Sequence, residues 1–138
     1  MQTDMRDIKL TSLSLINQDY KVQDLEAAQE GGSLEITTNL EFVKSKEAQN
    51  IIKMIVHFEI EGSNSEEVIF SLKQRYIADY SFEDTQRFFE DKDPDLAHYC
   101  LSIAYPSIRE GALSLFSKSN IFGVELPFSP TGKPDVKS

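Results

Sequence analysis

DLAHYCLSIAYPSIREGALSLFSKSNIFGVELP, residues Asp95–Pro127, is the stretch that decides the fold class. In its first part Leu96, Ala97, Tyr99, Cys100, Ile103 and Ala104 fall close to the i, i+3, i+4, i+7 spacing of one helix face. Pro106 follows. A helix interior rejects proline, but a first helical position accepts it, because that N–H has no intrahelical partner in any case. The spacing therefore predicts one helix up to about Tyr105 and a second from Pro106. In the second, Ile108, Ala112, Leu115 and Phe116 share a face, while Arg109, Glu110, Ser114 and Lys118 fall mostly opposite. That apolar face is expected to pack on another layer. After Asn120, Ile121, Phe122, Val124, Leu126 and Phe128 are interrupted by Gly123 and Pro127, which predicts an extended apolar segment instead of a third helix.

The helices need a partner layer, and the preceding residues supply one. Residues 7–17, DIKLTSLSLIN, alternate as Ile8/Leu10 and, after a slip, Leu13/Leu15, which predicts a strand with a bulge near Thr11 and Ser12. Residues 18–32 are polar, carry Gly31-Gly32, and read as a loop with room for one helical turn. Leu34, Ile36, Thr38, Leu40 and Phe42 then alternate with Glu35, Thr37, Asn39 and Glu41. Ile52, Met54, Val56, Phe58 and Ile60 do the same against Lys53, His57, Glu59 and Glu61. Gly62-Ser63-Asn64-Ser65 predicts a hairpin turn into a fourth strand bearing Val68, Phe70, Leu72, Tyr76 and Ala78. Four amphipathic strands followed by helices predict an α+β fold: a four-stranded antiparallel sheet with the helices on one face. One domain is expected over residues 1–128, with a flexible polar tail at 129–138.

Composition narrows the function. With 40% hydrophobic and 27% charged residues over 138 positions, the chain has globular values. A formal net charge of −9 opposes nucleic acid and anionic lipid, and no run of Lys and Arg overrules it. No apolar run approaches the roughly 20 residues that span a bilayer, so membrane insertion is not expected. One cysteine cannot form an internal disulfide, and the polar start MQTDMRD lacks a signal-peptide core, so the cytoplasm is the expected location.

Chemistry-bearing groups are sparse. His57 lies on the polar face of a strand, and His98 lies in a helix with no second ligand at i+4. Cys100 falls on the apolar helix face, where a thiol is inert. Glu35, Glu41, Glu59 and Glu61 bring carboxylates across neighbouring strands, which is also how a solvated face looks. No phosphate loop, zinc-ligand spacing or nucleophile elbow is present. Neither an enzyme nor a metal or cofactor site is expected. Apolar supply stands out instead: Ile69, Ile77, Phe82, Phe88, Phe89, Ile121, Phe122, Val124 and Phe128 come in addition to the strand faces. Either the loops fold back and complete the core, or the surplus serves self-association or a groove.

The run Tyr105-Pro106-Ser107-Ile108-Arg109-Glu110, the helix to Asn120, and then Val124-Glu125-Leu126-Pro127 resemble the C-terminal half of the SecB family of export chaperones. Four preceding antiparallel strands extend the resemblance over nearly the whole chain. It implies an ATP-independent holdase for unfolded secretory precursors, delivery to the SecA motor, no cofactor, and a homotetramer built as a dimer of dimers with helices at the contact. It also implies an apolar trough, for which Leu34, Ile36, Leu40, Phe42, Tyr80, Phe82, Phe88 and Phe89 are the expected residues. Ile108, Ala112, Leu115 and Phe116 are the expected helix-packing and oligomer residues. The acidic segment Phe82–Pro94 and the Lys-bearing end depart from the family pattern, and the alternatives are a dedicated client such as an antitoxin or a non-catalytic, self-associating scaffold protein.

Overall fold

The computed structural model describes residues 7–44, 50–83, 94–130 and 135–137. Phe88, Phe89 and most of the acidic segment before Pro94 lie outside the described residues. Four long strands, β1 (Lys9–Val22), β2 (Ser33–Lys44), β3 (Ile51–Asn64) and β4 (Glu67–Ser81), form an antiparallel sheet. A short helix α1 (Leu25–Glu30) joins β1 to β2, and one long helix α2 (Pro94–Lys118) follows the sheet. A three-residue strand β5 (Asp135–Lys137) adds in parallel to β2, giving the order β1-β4-β3-β2-β5. The predicted α+β class and four-stranded antiparallel sheet are therefore observed.

Alternation sets the two faces of the sheet. Ile52, Met54, Val56, Phe58 and Ile60 on β3, with Phe70, Leu72, Tyr76, Ala78 and Tyr80 on β4, point into one core and are 0–6% exposed. At about 1.5–3 kcal/mol for each large apolar side chain buried, this row dominates stabilisation. Lys53, His57, Glu59 and Glu61 of β3 lie in register with Asp79, Arg75, Lys73 and Ser71 of β4 on the face turned from α2. The bulge expected near Thr11 appears as a register shift between Leu10 and Ser12, with another between Leu15 and Asn17. β1 runs on through Val22 where a loop was expected from residue 18, because Tyr20 and Val22 pair with Leu72 and Phe70 and pack on the core.

The expected break at Pro106 is absent: α2 is continuous, with Pro106 inside it. Proline costs a helix interior about 3 kcal/mol. Here the ring is exposed on the outer face, while Ala104, Tyr105 and Ile108 beside it are 0–2% exposed against the sheet. Burial of the flanking turns outweighs the missing hydrogen bond. The C-terminus closes in a Schellman arrangement: Ile121 N–H donates to Phe116 O at 2.9 Å and Asn120 N–H to Ser117 O at 3.0 Å. Asn120 takes the left-handed conformation there, at φ 56°. The hairpin turn also sits further on than expected, at Ser65 and Glu66, both with positive φ, and Gly62 stays within β3.

Candidate functional site

Asp24 accepts a hydrogen bond from Ala27 N–H at 3.0 Å and so caps α1, which crosses the end of the sheet between β1 and β2. Gly31 and Gly32 then turn the chain into β2. Gly31 has φ 104°, and a Cβ on Gly32 would stand 2.3 Å from the Ser63 carbonyl oxygen, so glycine is required for this close approach. Gly62 is bound in the same way, because a Cβ there would lie 2.3 Å from the Phe70 ring. The backbone is thus pulled tight around a recess of about 90 Å³ lined by Ala28, Leu34, Ile69, Phe70, Phe122 and Val124, among others. That is three waters' worth of space, or one small aliphatic side chain.

The segment after α2 forms the second wall. Tyr105 donates its hydroxyl to Pro127 O at 2.8 Å, Arg109 Nε donates to Leu126 O at 3.2 Å, and the Arg109 guanidinium lies 4.5 Å from the centre of the Phe128 ring. Residues 121–128 therefore run back alongside the helix. Ile121 and Leu126 are buried, whereas Phe122 and Phe128 are 68% and 85% exposed. Gln29 Nε2 also donates to Asn120 O at 3.2 Å and ties α1 to the end of α2. Exposed Leu25, Leu34, Val68 and Phe122 cluster at this end of the sheet or close by in sequence. The exposed carboxylates Glu30, Glu35 and Glu125 adjoin lining residues along the chain. Among the described residues, the lining contains no titratable side chain.

Of the residues expected to form a trough, Leu34 lines the recess at 37% exposure and Ile36 is half-buried. Leu40, Phe42, Tyr80 and Phe82 are 0–8% exposed and are committed to the core, with the Tyr80 hydroxyl donating to Cys100 O. Of the helix-packing residues, Ile108, Ala112 and Phe116 are 0–1% exposed against the chain's own sheet, and Leu115 is half-buried. Phe116 meets Phe70 and Tyr20 edge-on, with centroids 5.1 and 5.9 Å apart. Gly31, Gly32, Phe122 and Val124 were not among the expected trough residues. Their signal was the glycine pair and the apolar run after the helix.

Groups with chemical potential are placed elsewhere. Cys100 is fully buried, and burial pushes its thiol up to about 12. Tyr80 and Tyr76 are raised by burial, Tyr80 additionally by the neighbouring Cys100. His57 and Glu59 sit on the outer sheet face in a shallow depression with Asn17, Asp19, Lys73 and Arg75. Charges alternate there from strand to strand, with Asp19 opposite Lys73 and Lys73 opposite Glu59. Glu35 and Glu61 face each other in register, whereas Glu41 opposes Ile55. Among the described residues, no group of three or more His, Cys, Asp or Glu could hold a metal ion. No helix among them is long and apolar enough to cross a membrane.

No protein-family profile matches the sequence, and no curated protein matches it. The fold is shared with a solved structure from Mycobacterium tuberculosis, the SecB-like chaperone Rv1957 in complex with a ChAD peptide from the HigA1 antitoxin Rv1956. The similarity has a TM-score of 0.70 at 11% identity and covers 92% of this chain and 94% of that one. The chain therefore has a SecB-like fold.

Proposed function

We propose that this chain is a SecB-like holdase, a non-catalytic chaperone that binds extended polypeptide segments through apolar surface, without nucleotide. The observation that carries this reading is the recess between α1, β2 and residues 122–124, rimmed by exposed Leu34 and Phe122 and, among the described residues, free of titratable groups along its lining. A site of this kind selects apolar side chains on an extended backbone and has nothing with which to react. The nearby carboxylates and the net charge of −9 favour basic clients through encounter rate more than through affinity. The shared fold with a chaperone bound to an antitoxin peptide supports a dedicated protein client, so that client class stands ahead of general export precursors and delivery to SecA. A cytoplasmic location fits either client.

Self-association belongs to the same proposal. β1 is 14 residues long and pairs only with β4 among the described residues, and its edge carries Leu15 and Ile16 at 47% and 42% exposure. A long edge that carries no charge from Leu10 to Gln18 and exposes two large apolar side chains there invites a second strand. We infer that copies of the chain meet there and assemble further as the SecB-like homotetramer.

The test is light scattering of a chemically denatured client diluted into buffer with a stoichiometric amount of the protein and no nucleotide. Suppressed aggregation is expected. Leu34→Asp with Phe122→Asp is expected to weaken suppression at least fivefold while leaving the melting temperature nearly unchanged, since exposed positions shift stability by only about 0.5 kcal/mol. No suppression by the unmodified protein overturns the proposal. Binding that requires a folded partner replaces it with a scaffold role.

A further inference from the structure

The SecB-like sheet has a fifth strand, and its position is informative. β5, residues Asp135–Lys137, pairs in parallel with Asn39, Leu40 and Glu41 along the outer edge of β2. Every other strand pairing among the described residues is antiparallel. Leu34, at the start of β2, lines the recess, and Asn39 lies five residues further along the same strand. At about 3.3 Å per residue, that is roughly 17 Å. An extended segment with one apolar side chain in the recess would run along β2 and reach Asn39–Glu41 within five residues.

We propose that the β2 edge at Asn39–Glu41 receives an extended, basic client segment by strand addition, and that the chain's own β5 holds this edge as a built-in competitor until a client displaces it. The inference rests on the holdase reading and specifies its backbone contact. Strand addition draws its affinity from main-chain hydrogen bonds, so it suits clients of diverse sequence. The strand already seated, Asp135-Val136-Lys137, carries one charge of each sign, and a client with a basic balance is favoured by the chain's total charge of −9.

The device is suited to displacement. A three-residue strand is below the usual length, and parallel pairing is slightly weaker per residue than antiparallel. Its hold comes from the short covalent link to Pro130, which gives an effective concentration on the order of millimolar. A free client of modest affinity competes with such a tether. Occupied, the edge is also protected from pairing with other chains.

The test compares the full chain, a chain ending at Pro130, and full-length Val136→Pro, which removes an N–H from β5 and fixes its φ. The probe is a fluorescein-labelled 12-residue peptide of alternating Leu and Lys, followed by anisotropy. Both variants are expected to bind it about two- to tenfold more tightly than the full chain, as for an edge occupied roughly half to nine tenths of the time. A synthetic peptide of residues 129–138 is expected to compete on the shortened chain. N-methylation of alternate peptide amides is expected to abolish binding. Equal or weaker binding by both variants, or unchanged binding of the N-methylated peptide, overturns the inference while aggregation suppression leaves the holdase reading intact. Failure of all three chains to bind the peptide, together with no aggregation suppression, overturns both.

Discussion

Cys100 shows how much of a residue's role is set by its surroundings. Its place on the apolar helix face marks it as core from sequence alone, and the structure puts it at 0% exposure under Tyr80. Burial holds its thiol up to about 12, against an ordinary value of 9.0. Between those limits the folded chain keeps a proton that the unfolded chain releases, so folding loses stability as pH rises from about 9 to about 12. Below pH 9 this contribution is constant. The raised Tyr80 acts in the same direction. Thermal unfolding followed by circular dichroism is expected to show a melting temperature that falls steeply above pH 9. Iodoacetamide at pH 8 is expected to leave the native thiol unmodified and to react fully in denaturant; rapid native alkylation would contradict the burial.

The elements show where local preference and packing disagree. Pro106 predicts a break, yet α2 continues, since propensity is worth about 3 kcal/mol and the buried turns on either side supply more. At the β3–β4 turn, Ser65 and Glu66 both adopt positive φ, at 51° and 69°, a two-residue geometry that favours Asn-Gly. Neither residue is suited to it, and left-handed backbone costs an ordinary residue roughly 1–2 kcal/mol. Ser65→Asn with Glu66→Gly is therefore expected to raise the urea midpoint by the equivalent of about 1 kcal/mol, with an unchanged slope. An unchanged or lowered midpoint would mean that the strands impose no strain on this turn. The misplaced turn has the same origin: Gly62-Ser63-Asn64 has turn composition, but Gly62 is spent where Phe70 crosses the strand.

For the whole molecule, the surplus of apolar residues is divided in a way that no single segment reveals. Leu40, Phe42, Tyr80 and Phe82 go inside, while Leu15, Ile16, Leu34, Phe122 and Phe128 remain exposed. Residues 121–128 fold back over the core, and apolar surface is still left. On the proposed assembly, light scattering is expected to give a mass near four times 15.7 kDa. Leu15→Lys with Ile16→Lys is expected to reduce it while the far-ultraviolet circular dichroism stays the same. A concentration-independent monomer for the unmodified chain would remove the assembly but leave the recess in place.

Periodicity by itself determined the α+β class, the four strands and their buried faces, because alternation at period 2 and repetition near 3.6 are local properties that burial then selects. The resemblance carried by Tyr105, Arg109, Leu126 and Pro127 was legible too, and the structure shows those residues bonded to one another. Strand order, the continuity of α2, and the recess built by Gly31, Gly32, Phe122 and Val124 were decided only by tertiary structure. The reason is physical: which apolar residue stays exposed depends on what the rest of the chain lays over it, and that cover comes from segments far away in sequence.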